Sequence, residues 1–287
     1  MITGGKTGER EVSIRSAENV AKIIDFADVE TFTFPEEKEN FINKYLNFDA
    51  VIPMIHGVGG EDGVLQGFLE TLEIPYIFSK TLAHAISINK KLTKKIVTQS
   101  KIKVANEISQ ISPSFPLFAK PNSGGSSVAS KLCNTAEDLN MLISKNPETD
   151  FILEEPLKGR EFTVGVINQN GAAISLTVVE IIPKGDYFDF ESKYDIDKLA
   201  TEICPAKIER SLSEELQRQA LLVHQNIGIR HISRSDFIVS DDGQIYFLEV
   251  NTIPGMTNTS LLPKMLLESS LKLKDLIQEW VSDVTGA

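Results

Sequence analysis

The sequence predicts an α/β protein, and three observations carry this prediction. A short apolar run at 49–56 indicates a buried parallel strand, and it leads through a glycine-rich loop into an apolar helix at 64–72. Two long apolar runs flank Asn170-Gly171, which is typical of consecutive strands joined by a tight turn. An amphipathic helix is predicted at 213–227. The 287 residues have room for one large domain or two to three smaller ones.

Composition narrows the class of protein. With 41% hydrophobic and 24% charged residues, the chain is an ordinary globular protein. A net charge of -11 and a pI of about 5.0 argue against a broad nucleic-acid footprint, although a local basic cleft for an anion remains possible. Cys133 and Cys204 lack metal-type spacing and suit a reducing compartment. No apolar run approaches ~18 residues and no signal peptide is visible, so we expect a cytoplasmic protein without membrane contact.

The first elements are short. Only Met1-Ile2-Thr3 precede the glycines at 4 and 5, so either the first strand is very short or the chain starts late. A phosphate loop of the Walker type fails here, because its first glycine would lie before Met1. Glu9 opens a helix with an apolar face. An acidic residue in a first turn usually balances the helix dipole, so this role and a functional one stay open for Glu9.

A glycine-rich loop follows the strand at 49–56. Four glycines in the seven residues 57–63 indicate a backbone that approaches a ligand closely. Loops at the carboxyl ends of strands are where ligands bind in α/β sheets. His56 at the strand end is therefore a candidate site residue, with a structural histidine as the alternative. A further short strand is predicted at 74–77.

The next segment is basic. A helix is predicted at 79–100, and most of its lysines, at 90, 91, 94 and 95, would form a solvated face. Lys120 ends a strand at 115–121, before a loop of small residues at 122–127. Such a loop suits a polyphosphate, whereas the alternative is a flexible hairpin loop.

Past this loop, the sequence predicts a strand, a helix at 135–145 and another strand at 150–157. The last of these stops at Pro156 in the run Glu154 to Leu157. That run would hinge two domains, and its exposed amides would also suit a flat base.

Two later loops carry candidate residues. The stretch 184–204 is polar and aromatic without a clear period, and a loop this long is usually functional. It carries Lys193 and Tyr194 and would close as a lid. Near the end of the chain, a loop at 254–260 leads into a helix beginning near Leu261. Ser260 would cap this helix, whose N-terminus is a ready carboxylate site.

A hairpin near the C-terminus concentrates hard oxygen ligands. Asp242-Gly243 predicts a two-residue turn. Counting outwards from it places Asp236 opposite Glu249 and Arg234 opposite Asn251, so their side chains share a face. Opposed carboxylates repel unless a cation lies between them. This set suits Mg²⁺ whose shell is completed by nucleotide phosphates, and the alternative is an acidic solvent-facing surface.

Taken together, these motifs resemble the D-alanine:D-alanine ligase family of the ATP-grasp superfamily. The resemblance runs from Gly4 to about Leu262 and rests on motifs that occur in the family's order: GEREVSIRSA, HGVGGEDGVLQGFLE, AKPNSGGSSVA, GREFTV, FESKY, ICPA and LEVNTIPGMTNTS. It implies an α/β (α+β) fold of three domains, expected at 1–83, 84–161 and 162–287, with ATP between the central and C-terminal ones. It also implies that two D-alanines are joined for peptidoglycan synthesis by an enzyme that is commonly a homodimer.

The resemblance implies a role for each matching residue. The ammonium of the first D-alanine would be held by Glu9, hydrogen-bonded with Ser126 and Tyr194, and His56 would line the same site. The residues expected to bind ATP are Lys90, Lys120, Glu154, Glu155, Leu157, Glu161 and Lys193. Two Mg²⁺ (or Mn²⁺) ions would be held by Asp236, Glu249 and Asn251. Arg234 and the Gly255 amide would stabilise an oxyanion, and Ser260 with the Leu261 amide would bind the second substrate's carboxylate.

The implied chemistry agrees with these residue types. A carboxylate is a poor acyl donor, and transfer of the ATP γ-phosphoryl group to it would give an acylphosphate. That step depends mainly on positioning and charge neutralisation. Attack by the second amine builds a tetrahedral oxyanion, which needs preorganised donors. A closing lid would protect the acylphosphate from water.

The sequence departs from the family pattern in three places, and two other functions stay open. The first strand is nearly absent, Phe78 and Lys80 lie where the family usually has a glycine and a small residue, and His231 replaces a common glycine. One rival function is ligation of D-alanine to D-lactate, although the family's dipeptide enzymes carry a tyrosine at the position of Tyr194. The other is a non-catalytic nucleotide-binding protein of the same fold.

Overall fold

The N-terminal part of the chain forms a small parallel sheet covered by helices. The computed structural model describes residues 1–124, 129–183 and 200–286. Strands β1 (Ile2–Gly4) and β2 (Phe32–Phe34) pair in parallel, and β1 has three residues. The helices around them are α1 (Arg10–Ile23), α2 (Lys38–Lys44), α3 (Val64–Thr71) and α4 (Thr81–Ile88).

The strands predicted at 49–56 and 74–77 are only partly formed. Each contributes isolated parallel bridges, between Ile2 and Pro53 and between Val51 and Tyr76. The predicted direction is therefore right, but the prediction of continuous strands is wrong. Proline has no amide hydrogen to donate to a ladder, and each of these runs contains one, Pro53 and Pro75.

The helix predicted at 79–100 is two helices. Helix α4 ends at Ile88, α5 (Lys90–Val97) begins two residues later, and a 3-10 turn follows at Thr98–Ser100. The Asn89 side chain caps α5 by accepting a hydrogen bond from the Leu92 amide at 3.0 Å. This break sets the direction in which the lysines of α5 point.

A three-stranded antiparallel sheet follows, in the order β5-β4-β6. Its strands are β4 (Leu117–Pro121), β5 (Lys131–Cys133) and β6 (Phe151–Glu154), and helix α6 is Ala136–Lys145. Thr135 and Asp138 close a capping box at the start of α6. Apolar side chains of α6, among them Leu139 and Leu142, pack on this sheet with the buried Cys133.

The largest sheet has six strands in the order β3-β11-β10-β7-β8-β9. Its strands are β3 (Lys103–Val104), β7 (Arg160–Gln169), β8 (Ala172–Ile182), β9 (Thr201–Ile203), β10 (Ile232–Val239) and β11 (Ile245–Asn251). The helices that follow β9 in the chain are α7 (Arg210–Ile227), α8 (Leu261–Glu268) and α9 (Leu273–Thr285).

Apolar side chains of helices pack against both faces of the six-stranded sheet. Helix α7 packs on one face, and α8, α9 and α1 share a hydrophobic core with the other. Strand β9 lies within the stretch predicted as a loop at 184–204, so that prediction is wrong for its last residues. The predicted domain boundaries stay a prediction. Among the described helices, none is long and apolar enough to cross a bilayer.

The β10–β11 hairpin has the predicted pairs at the candidate site but a different turn. Asp236 pairs with Glu249 and Arg234 with Asn251, as predicted. The turn, however, has three residues, 241–243, because Ser240 and not Asp241 pairs with Gln244. Gly243 supplies the left-handed conformation that such a turn needs (φ +78°). A β-bulge at Leu248 shifts the register by one residue and restores the predicted pairs.

Two of the departures noted in the sequence contact each other. The Phe78 amide donates to His231 Nδ1 at 2.9 Å, and His231 Nε2 lies 3.2 Å from an Asp283 carboxylate oxygen. The His231 ring stacks on Trp280 with 5.4 Å between centroids. Lys80, the third unusual residue, lies over the Tyr76 ring, with 4.6 Å from Nζ to the centroid. His231 therefore joins the N-terminal part of the chain to the last helix.

We expect the protein to lose stability as the pH falls from about 6.5 to about 4. All four histidines are buried. Burial lowers the pKa of His84 to about 3 and those of His224 and His231 to about 4, and it also lowers the pKa of His56. The unfolded chain then binds more protons, and a histidine shifted from about 6.5 to about 4 loses about 3 kcal/mol across this window.

Glu61 opposes this effect, because burial and Glu9 raise its pKa to about 7, which favours the folded state as the pH falls. The stabilisation from Glu61 offsets the loss of stability caused by about one histidine. The urea concentration at the unfolding midpoint, measured at pH 7.5, 6 and 5, tests the prediction. A midpoint that stays constant or rises toward pH 5 would contradict it.

Candidate active site

Asp236 is the centre of a side-chain network on the hairpin. Arg234 Nε and Nη2 donate to its two carboxylate oxygens at 3.1 and 3.0 Å. Thr163 Oγ1 donates to Oδ1 at 2.6 Å, and Asn251 Nδ2 lies 3.4 Å from Oδ2. Glu249 is directly opposite Asp236 in the ladder. The four residues predicted on this face are therefore together, and Thr163 is a fifth member that sequence reasoning missed.

Arg234 is held as a cation. Burial alone would lower its pKa, but the nearby carboxylates of Asp236, Glu249 and Glu61 raise the pKa of the guanidinium above its ordinary value. Its side chain is 17% exposed, so the charge is shielded from bulk water. A fixed positive charge in such surroundings suits the stabilisation of a developing oxyanion.

The donor set fits a hard divalent cation. Asp236, Glu249 and Asn251 offer carboxylate and amide oxygens on one face, which are ligands of Mg²⁺. In the described part of the chain, no group of three or more His, Cys, Asp or Glu side chains is arranged to hold a metal by itself. Mg²⁺ usually takes one or two carboxylates and lets substrate phosphates complete its shell, so a site for it here stays a prediction.

Lys90 reaches this face from the start of α5. Its Nζ lies 3.2 Å from a Glu249 carboxylate oxygen and donates to the Gly124 carbonyl at 2.7 Å. The side chain is 7% exposed. Lys90 is thus a buried cation beside the carboxylates, where it would neutralise a phosphate.

Lys120 belongs to a second buried group of charges. Its Nζ lies 2.9 Å from Glu154 Oε2, and the other oxygen of Glu154 is paired with Lys94. The prediction that most lysines of this helix are solvated is therefore wrong for Lys90 and Lys94, although it holds for the exposed Lys95. The missed signal is the spacing of four residues, which puts Lys90 and Lys94 on one face of α5.

The segment after β6 borders a cavity of about 640 Å³, which Leu157 and Glu161 line. Glu155 points elsewhere. Its carboxylate accepts from the amide and the side chain of Asn106 at 3.0 and 2.9 Å, and its own amide donates to the Asn106 carbonyl at 3.0 Å. A contact of Glu155 with a nucleotide stays a prediction, and its amide is already engaged.

Glu9 lies against the glycine-rich loop. A Cβ atom on Gly57 would come within 2.5 Å of Glu9 Oε2, and the φ of +72° at Gly57 also favours glycine. Glu9 occupies the N-cap position of α1, but its side chain makes no capping hydrogen bond. The functional role of Glu9 therefore stays a prediction, and an interaction with the dipole of α1 stays the alternative.

His56 is buried at the end of its strand segment. Its Nδ1 is 2.8 Å from the Ile253 carbonyl, and its Nε2 is 3.3 Å from the Ser16 hydroxyl. Both ring nitrogens therefore have protein partners. These contacts link the first part of the chain to the loop after β11, and a direct contact of His56 with substrate stays a prediction.

Glu61 is a buried residue that sequence reasoning passed over. It accepts hydrogen bonds from the amides of Gly57, Thr252 and Ile253 at 2.9, 3.1 and 2.8 Å. Glu61 thus fastens the glycine-rich loop to the loop that follows Asn251. The sequence signal for this role is an acidic residue inside a glycine-rich loop, where nearby backbone amides can donate hydrogen bonds to the carboxylate.

The loop before α8 brings Gly255 and Ser260 together. A Cβ atom on Gly255 would lie 2.9 Å from Ser260 Oγ. The Ser260 hydroxyl accepts from the Thr257 amide at 3.1 Å and lies 2.7 Å from the Thr257 hydroxyl. Ser260 is the N-cap residue of α8, as predicted, but its hydroxyl makes no capping hydrogen bond because it bonds Thr257 instead. Leu261 is the first residue of the helix, as predicted.

Three predicted site residues lie outside the described residues. They are Ser126 in the loop after β4, and Lys193 and Tyr194 in the stretch predicted as a lid. Their roles stay predictions.

The chain matches known families and structures over nearly its full length. Family models described as D-ala D-ala ligase N-terminus and C-terminus match residues 27–79 and 82–282. It is 38% identical to the D-alanine--D-alanine ligase of Aquifex aeolicus, covering 96% of this chain and 97% of that protein. The corresponding ligase of Desulfotalea psychrophila is 35% identical, with 96% and 91% covered.

Solved structures agree with these matches. The D-alanine--D-alanine ligase of Bacillus anthracis superposes with a TM-score of 0.83 at 29% identity, covering 99% of this chain and 95% of that one. The VanG D-Ala:D-Ser ligase of Enterococcus faecalis superposes with a TM-score of 0.82 at 26% identity, covering 99% and 98%. The B. anthracis enzyme complexed with ATP gives 0.81 at 28% identity, with 99% and 97% covered.

Proposed function

The chain belongs to the D-alanine–D-alanine ligase family, and from this premise we propose that it joins two D-alanines to D-alanyl-D-alanine for peptidoglycan synthesis. ATP would be converted to ADP and phosphate in the reaction. The observation that supports this most directly is the pairing of Asp236 with Glu249 beside two buried cations, Arg234 and Lys90. That arrangement suits phosphoryl transfer followed by attack on an acyl group.

ATP would bind between the hairpin and the three-stranded sheet. Lys90 and Lys120 would contact its phosphates, and Leu157 and Glu161 would face its base and ribose in the cavity between the sheets. Asp236, Glu249 and Asn251 would hold Mg²⁺ or Mn²⁺. When bound, the ions would neutralise phosphate charge that develops during transfer.

Two further sets of residues would bind the two D-alanines and stabilise the oxyanion. Glu9 would hold the ammonium of the first D-alanine, with His56 nearby. Arg234 and the Gly255 amide would stabilise the tetrahedral oxyanion, and Ser260 with the Leu261 amide would receive the second carboxylate at the N-terminus of α8.

We propose D-alanine as the second substrate, and D-lactate and D-serine are the alternatives. D-Lactate would give an ester, and the similarity to VanG, named a D-Ala:D-Ser ligase, makes D-serine a further candidate. The relatives named D-alanine--D-alanine ligase favour the dipeptide. From family membership we also propose that the protein is a homodimer located in the cytoplasm. Light scattering of the purified protein tests the dimer.

Incubation of the full chain with ATP, Mg²⁺ and D-alanine tests the proposal. We expect phosphate release together with a product that has the mass of D-alanyl-D-alanine. A competition series with D-lactate and D-serine across pH 6 to 9 identifies the second substrate, and a predominant ester or D-serine product near neutral pH would overturn the dipeptide. A folded protein that binds ATP but releases no phosphate would instead be a non-catalytic nucleotide-binding protein.

A further inference from the structure

We propose that Lys94 is a positioning residue for ATP, acting through Glu154 on Lys120; this inference rests on the function proposed above. Lys94 contacts one oxygen of Glu154, and Lys120 Nζ lies 2.9 Å from the other. The three side chains are between 6% and 10% exposed. Each carboxylate oxygen therefore has its own lysine, in surroundings shielded from water.

With Lys94 protonated, the group carries one excess positive charge. Two ammonium groups face one carboxylate, and an uncompensated buried charge is costly. This cost appears in Lys94, because burial and the neighbouring Lys120 lower the pKa of its ammonium to about 7. Glu154 stays ionised: burial would raise its pKa, but Lys120 and Lys94 lower it. The group therefore favours the arrival of an anion, which an ATP phosphate would provide.

Helix α5 positions the Lys94 side chain relative to Lys90. The helix begins at Lys90, and the next residue on the same face, one turn later, is Lys94. Lys90 reaches Glu249 of β11, whereas Lys94 reaches Glu154 at the end of β6. One rigid helix thus fixes the distance between the two groups of charges that would grip the nucleotide.

Because Lys94 shares Glu154, that carboxylate compensates the charge of Lys120 only in part, and Lys120 keeps positive charge for an ATP phosphate. If Lys94 were absent, Glu154 would have only Lys120 as an ion-pair partner among these three side chains. The pair would then be neutral, and Lys120 would attract a phosphate more weakly. Glu154 keeps a second lone pair on each oxygen, so a contact with the nucleotide base stays open to it.

Steady-state phosphate release at saturating D-alanine tests the proposal. We expect Lys94→Met to raise the KM for ATP about tenfold or more, since contacts to charged groups are among the stronger ones. The kcat and the KM for D-alanine should change less than about threefold, as expected when uniform binding is lost. Lys94→Arg should restore most of the ATP affinity. Lys95→Met, an exposed position on the same helix, is the matched control and should match the wild type.

An unchanged KM for ATP in Lys94→Met, or a Lys94→Arg variant as impaired as Lys94→Met, would overturn the proposal. If Lys94→Met fails to fold, Lys94→Gln keeps a donor toward Glu154 without the charge, and the same criteria apply to it. Calorimetric titration with Mg²⁺–ATP separates this proposal from the proposed function. A wild type that binds ATP without ligating D-alanine would refute the function alone, and equal ATP affinity in wild type and Lys94→Met would refute the role of Lys94.

Discussion

Replacing Glu249 with alanine is expected to lower the rate of phosphate release by about 1,000-fold or more. The change removes one of two opposed carboxylates on the face that would hold Mg²⁺, and a metal ion contributes several kcal/mol to the stabilisation of the transition state. The rate is measured with ATP, Mg²⁺ and D-alanine, and a Mg²⁺ titration shows whether excess metal restores it.

The fold should survive this substitution. Loss of Glu249 relieves repulsion with Asp236, while Lys90 keeps the Gly124 carbonyl as a hydrogen-bond partner. Asp241→Asn, an exposed carboxylate in the turn of the same hairpin, is the matched control and should leave the rate unchanged. Normal turnover by Glu249→Ala would show that the assignment of this face to a metal is wrong.

Replacing Arg234 with lysine is expected to lower kcat by about 100- to 1,000-fold, the loss typical of a missing oxyanion donor. Lysine keeps the charge but cannot reproduce the two-point contact that the guanidinium makes with Asp236. Single-turnover measurements show which step slows. We expect product formation to slow more than the binding of ATP.

The control for Arg234→Lys is Arg218→Lys. Arg218 makes a similar two-point contact with Glu215, at 2.7 and 2.6 Å, but on the protein surface. That variant should keep wild-type kcat, because exposed ion pairs contribute little. If Arg234→Lys kept its kcat as well, the oxyanion role would belong to another group.

The main helices and strands could be predicted where the local turn and capping residues agree with the tertiary structure. The Asn170-Gly171 turn, the helix ending at Ile227 and the helix starting at Leu261 are found where expected. Asn89 was a missed signal: an asparagine with N-cap preference sat inside a basic run that was predicted as one helix. Pro53 and Pro75 show why the apolar runs at 49–56 and 74–77 need not form continuous strands.

Tertiary contacts explain what sequence reasoning could not reach. Phe78 and His231 were noted as separate departures, yet each is the other's hydrogen-bond partner across 153 residues of sequence. Lys94 was predicted to face solvent because its ion-pair partner, Glu154, lies 60 residues away. A local sequence motif identifies a residue but not the residue that it contacts far away in the sequence. Residues whose role depends on such a distant contact were therefore missed.

In the β10–β11 hairpin, the turn is structurally separate from the end that carries the candidate site. Because the bulge at Leu248 lies between the turn and the pair of Asp236 with Glu249, the spacing of the carboxylates does not depend on a particular turn length. Strand β10 is also paired along its whole length with β7, from Ile232 to Val239. The tip at 241–243 is exposed and lies beyond these pairs. It is therefore a suitable place to graft a peptide epitope or attach a fluorescent dye without disturbing the site.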